Sequence, residues 1–217
     1  MNNNLTEMIF ILDMSGSMSS LREDTIGGYN TLLEEQKKQD GDANVTTVLF
    51  DNEYILLHDR KPISEVENLT ANDYCPRGTT AMLDAVGMTI TSVGQKLANM
   101  PEEERPGNVV VTIITDGMEN ASKEYTWNQI QSMIKEQREK YSWIFTFIGA
   151  NIDVQKVSDS MGIDSRFAKS YTANKVGTDS LYKSMSKTMS YTREMRMKNA
   201  SIDDMAVEMS NLMDDIK

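Results

Sequence analysis

Residues 108–115, Asn-Val-Val-Val-Thr-Ile-Ile-Thr, constrain the fold more than any other segment of the chain. Every residue after the asparagine is β-branched. Such side chains lose rotamer freedom in a helix and pack well on a pleated surface. The run does not alternate with charged residues, which requires cover on both faces of the strand. A strand of that kind sits centrally in a sheet, and in mostly parallel sheets the covering layers are helices.

The rest of the chain supplies both partners and cover. Residues 8–12 are a second continuous apolar run, ending at Asp13. Residues 45–50 and 54–58 read as strands joined by Asp51-Asn52-Glu53. So short a connection forces an antiparallel hairpin, because a parallel crossover needs about a dozen residues. Residues 143–149 and 167–171 complete the strands. Helical spacing appears at Ile26, Tyr29, Leu32 and Leu33, and along Met82, Leu83, Val86, Ile90, Val93 and Leu97 within 80–97. Residues 126–140 and 154–161 also read as helices, and 178–217 as helical with a break near 199–201. The alternation predicts an α/β fold: a Rossmann-like, doubly wound, mostly parallel six-stranded sheet with one antiparallel edge strand and helices on both faces.

Composition narrows function by exclusion. Lys and Arg total 22 against 33 Asp and Glu, a net charge of −11. Such a chain is repelled by phosphate backbones and anionic lipid, so neither nucleic acid nor membrane is expected as a partner. The single cysteine, Cys75, makes an internal disulfide impossible. No apolar run approaches the roughly 18–20 residues of a membrane span. The N-terminal run has no basic flank and is too short for a secretion signal. A cytoplasmic protein is the expectation.

In an open α/β sheet, ligands bind beyond the carboxyl ends of the strands. Three segments fall there. Asp13-Met14-Ser15-Gly16-Ser17 places oxygen side chains at alternate positions, which point the same way in a chain leaving a strand. One carboxylate and two hydroxyls form a hard oxygen cluster, suited to Mg²⁺ or Mn²⁺ rather than zinc. The competing reading is a helix cap, with a serine accepting backbone N–H bonds. Thr115-Asp116-Gly117 ends the central strand. Arg77-Gly78-Thr79-Thr80 is a glycine-threonine turn opening a helix.

Together these three segments resemble the von Willebrand factor type A (vWA) domain with its metal-ion-dependent adhesion site. The resemblance covers about residues 5–172 and suggests a standalone member of bacterial or phage type. It implies a sheet order of 3-2-1-4-5-6 and a domain of residues 1–172, with 173–217 as a helical C-terminal extension. It also implies metal ligands: Ser15 and Ser17 directly, Asp13 directly or through water, Thr79 in a ligand-dependent way, and Asp116 mainly through water. Thr80 is the alternative to Thr79, since the Gly-Thr-Thr turn allows a one-residue ambiguity. The implied cofactor is Mg²⁺, with Mn²⁺ or Ca²⁺ as alternatives. The implied function is a non-enzymatic binding module, in which a partner protein's Asp or Glu carboxylate completes the metal shell.

Two rival functions stand beside this one. A metal-dependent hydrolase or phosphatase would use the same site, but an aspartyl phosphatase needs a second carboxylate where Ser15 stands. The only histidine, His58, lies on the expected hairpin. An assembly scaffold would act through the C-terminal helix, whose Ile202, Met205, Met209, Leu212 and Ile216 form one apolar seam. That seam packs on the protein's own core or docks a partner. Lys183, Lys187, Arg193, Arg196 and Lys198 just before it read as a solvated basic face. Cys75 and Arg77 read as ordinary loop residues, and Glu119 and Asn120 as solvated residues near the site's rim.

Overall fold

A computed structural model describes residues 1–217. The sheet has six strands: β1 (Asn2–Asp13), β2 (Asp42–Phe50), β3 (Tyr54–Pro62), β4 (Pro106–Thr115), β5 (Ile144–Gly149) and β6 (Ala168–Ser170). Their spatial order is β3-β2-β1-β4-β5-β6, with every neighbouring pair parallel except β2–β3. The order reverses between β1 and β4. Their carboxyl ends therefore open side by side, with Leu12 paired to Ile114. The β-branched segment is β4, and all of its residues are buried.

Six helices cover the sheet: α1 (Arg22–Lys37), α2 (Met82–Ala98), α3 (Trp127–Tyr141), α4 (Val154–Met161), α5 (Lys175–Met197) and α6 (Ile202–Met213). Side chains alternate across β1 and divide the core in two. Met8, Phe10 and Leu12 face α1, α5 and α6, while Ile9 and Ile11 face α2, α3 and α4. Boundaries differ from the sequence expectation where polar residues continue a ladder. β1 begins at Asn2, although its first four residues are not fully buried. β3 extends to Pro62 as a half-exposed edge. α5 begins three residues early because Asn174 caps it, its Oδ1 accepting the Gly177 N–H at 2.9 Å.

Residues 173–217 are built into the first face. Met185, Met189, Met205, Met209 and Met213 lie in the same apolar cluster as Phe10 and Tyr29. The α6 seam thus packs against the protein's own core. Two members of the basic stretch are not on a solvated face. Arg193 is buried, and its guanidinium donates to Gln36 O at 2.7 Å, Gly41 O at 3.0 Å and Asp40 O at 3.2 Å. It satisfies carbonyls at and beyond the end of α1, where a helix leaves acceptors without partners. Arg196 donates to Gly107 O and Ala200 O, each at 2.9 Å. Charge pattern alone could not separate these two arginines from the exposed Lys183, Lys187 and Lys198.

Candidate metal centre

Three loops meet at the carboxyl ends of β1 and β4. The first leaves β1 at Asp13, which is fully buried. Its Oδ1 accepts the Ser15 N–H at 2.7 Å, and Tyr74 OH donates to its backbone oxygen. Ser15 precedes a 3₁₀ turn, Gly16–Leu21, but its side chain makes no capping bond. The cap reading is therefore not realised, and the Ser15 hydroxyl instead lies 3.1 Å from that of Ser17. Ser17 Oγ donates to Asp116 Oδ1 at 2.5 Å, which joins the first loop to the second.

The second loop leaves β4 through Thr115. Its hydroxyl donates to Asp13 Oδ2 at 2.5 Å and accepts the Gly117 N–H at 3.1 Å. Gly117 closes the centre tightly. A Cβ there would meet Thr80 Oγ1 at 3.1 Å, Ser17 Oγ at 3.3 Å and Asp13 Oδ2 at 3.7 Å. Oxygens from the first and third loops therefore crowd this glycine of the second.

The third loop places the two candidate threonines differently. Thr79, the threonine first expected at the site, is exposed, whereas Thr80 is buried and turns its hydroxyl toward Ser17 and Gly117. The reason is the backbone that Thr80 must satisfy. Its N–H donates to Asn120 Oδ1 at 3.0 Å, and its carbonyl accepts from Asn120 N at 3.0 Å and Ala121 N at 3.2 Å. Gly78, at φ +65°, lets the chain turn beneath Gly16, whose N–H reaches Gly78 O at 3.4 Å.

The fold is similar to that of several solved structures. A structure of proximal thread matrix protein 1 from the mussel byssus, with a zinc-occupied MIDAS motif, superimposes with a TM-score of 0.59 at 16% identity, covering 85% of this chain and 46% of that one. The manganese-loaded Plasmodium vivax TRAP protein gives 0.57 at 16% identity, covering 82% and 72%. A von Willebrand factor type A protein from Catenulispora acidiphila gives 0.51 at 12% identity, covering 89% and 42%. The chain has a vWA fold. It spans less than half the length of the mussel protein. No protein-family model and no curated protein matches the sequence.

Within this vWA fold, the electrostatics at the centre are unbalanced. Burial pushes the Asp13 carboxyl up to about 6, with bonds from Thr115 and Ser15 opposing the shift and the nearby Asp116 charge adding to it. Burial also raises Asp116, against the bond from Ser17. No basic side chain acts on either carboxylate. Two carboxylates and three hydroxyls without a protein cation form the donor set that a hard divalent ion takes. The residues present fit such an ion.

The neighbouring residues have other duties. Arg77 is drawn away to Asp51 at 3.0 Å and Glu53 at 2.7 Å. Glu119 and Asn120 are not simply solvated: Glu119 accepts N–H bonds from Leu83, Ala121 and Ser122, and Asn120 accepts from Thr80. Cys75 is exposed. His58 lies on β3 with Nδ1 3.0 Å from Thr47 Oγ1. Sequence reasoning passed over Thr115 and Tyr74. A signal existed for Thr115, since a hydroxyl ending a fully buried strand must find a partner. Tyr74 carried none, because its contact depends on how a long loop folds back. No helix is long and apolar enough to cross a membrane.

Proposed function

We propose that this chain is a divalent-cation-dependent protein-binding module. Asp13, Ser15, Ser17, Thr80 and Asp116 would hold one Mg²⁺, with Mn²⁺ as a ready substitute. The observation that carries this reading is the convergence of two buried carboxylates and three hydroxyls with no basic side chain to neutralise them.

When bound, the ion supplies an electrophilic centre on an otherwise acidic surface. The protein's own part is to orient the oxygens. Asp13 is fixed by Ser15 and Thr115, and Asp116 by Ser17. Hydroxyls carry no charge, so such a shell leaves the ion able to attract a further anionic oxygen. A partner's Asp or Glu carboxylate fits that role. With a net charge of −11 on the chain, the attraction is local to the metal and acts against the overall field.

The test is thermal unfolding and affinity capture, each in Mg²⁺ and in EDTA. Mg²⁺ should raise the melting temperature of the wild type and leave Asp116→Ala unmoved. Partner capture should need both the metal and Asp116. A partner held equally well in EDTA would contradict the proposal.

A further inference from the structure

The Thr115 hydroxyl sits where the two acidic loops touch. Thr115 is fully buried. It donates to Asp13 Oδ2 at 2.5 Å, accepts from Gly117 N at 3.1 Å and lies 3.1 Å from Gly117 O. One hydroxyl thus ties the carboxylate of the first loop to the backbone of the turn that carries Asp116. The other Asp13 oxygen is also engaged, by the Ser15 N–H at 2.7 Å. With a donor on each oxygen, the carboxylate plane cannot turn without breaking a buried, charge-assisted hydrogen bond. Nor can the loops separate without breaking the Thr115 link.

Rigidity of this kind discriminates between cations. Mg²⁺ demands near-octahedral geometry at about 2.0–2.1 Å, whereas Ca²⁺ takes 6–8 oxygens at about 2.3–2.6 Å in flexible arrangements. Selectivity between them follows from cavity size, ligand number and flexibility. A larger ion would need the Asp13 and Asp116 loops to spread or the Asp13 carboxylate to swing. Thr115 opposes both movements.

We propose that Thr115 is a positioning residue that sets the size selectivity of the metal centre, favouring Mg²⁺ over Ca²⁺ by fixing the spacing of the two acidic loops. The inference rests on the metal-binding reading above. It goes further by assigning selectivity to a side chain that would not touch the ion.

The experiment measures Mg²⁺ and Ca²⁺ dissociation constants by calorimetry for the wild type, Thr115→Val, Thr115→Ser and Thr112→Val. Metal-free melting temperatures confirm that each variant folds. Removing a hydrogen bond that orients a metal ligand typically lowers affinity about 10–100-fold. Thr115→Val should lose Mg²⁺ affinity in that range and lose much less for Ca²⁺, so the preference for Mg²⁺ collapses. Thr115→Ser keeps the hydroxyl and should restore the preference. Thr112→Val loses a different buried contact, 3.1 Å to Thr146 Oγ1, and should leave the preference unchanged. If Thr115→Val does not fold, Thr115→Ala carries the same expectation. A wild-type preference in the folded valine or alanine variant overturns the Thr115 inference alone. A wild type that binds neither ion overturns the metal reading beneath it.

Discussion

Strand β1 buries two carboxylates six residues apart, burial raising the pKa of each, and gives them different partners. Glu7 is fully buried and meets Arg60 Nε at 3.0 Å, with Asn44 and Thr46 beside it. Asp13 is equally buried and meets only an amide and hydroxyls. Burying a charge without a counter-charge is costly. At Glu7 the chain provides the cation itself, and Arg60 adopts a φ of 49° within the irregular β3 ladder as it does so. At Asp13 no such partner exists. The difference separates a carboxylate that fastens an edge strand from one that, under the proposed function, would meet an ion the chain does not encode.

Breaking the Glu7 side should give the largest change in stability. Arg60→Met leaves Glu7 buried and alone, and losing one partner of a buried pair costs about 3 kcal/mol. Denaturant unfolding at pH 7 measures this, and the loss should shrink toward pH 4 as the unpaired carboxyl takes up a proton. A variant as stable as the wild type at pH 7 would remove the contrast.

The Asp13 side should respond with the opposite sign. Its folded-state value of about 6 lies above the usual 3.8. Between about pH 4 and pH 6 the metal-free fold therefore holds a proton that the unfolded chain has released. That contribution is complete below about pH 4 and is lost as pH rises through about 6. Asp13→Asn should remove this pH dependence and stabilise the metal-free protein at pH 7 by about 1–3 kcal/mol. It should also abolish stabilisation by Mg²⁺. Unfolding curves from pH 4 to pH 7.5, with EDTA and with Mg²⁺, separate the two effects.

The smallest expected effect distinguishes the two threonines. Thr80→Ala should weaken Mg²⁺ binding about tenfold, near 1.4 kcal/mol, the scale of one good hydrogen bond to a charged group. Thr79→Ala should change nothing that calorimetry detects. Equal losses in both variants would mean that the third loop does not settle on one hydroxyl.

Much of this was legible in the sequence for physical reasons. The β-branched run of residues 108–115 forces a buried central strand, and the Asp51-Asn52-Glu53 connection forces the antiparallel edge. Asp13 and Asp116 stood out because they end apolar strands. Other features depend on tertiary contacts without a local signature. Thr79 and Thr80 differ by one position in a turn, and only the bonds from Asn120 decide which hydroxyl points inward. Arg193 looks like any basic residue on a helix until α5 lies across the end of α1. The Glu7–Arg60 pair joins β1 to β3 across β2, through a ladder irregularity that no periodicity predicts.

The central claim is that Asp13 and Asp116 await one divalent cation. Isothermal titration of the metal-free protein with Mn²⁺ at pH 7.5 tests it most directly. The account predicts one ion per chain in the wild type, and no binding in Asp13→Ala or Asp116→Ala, both of which should still fold. No binding to the wild type, or undiminished binding to either folded variant, would contradict it.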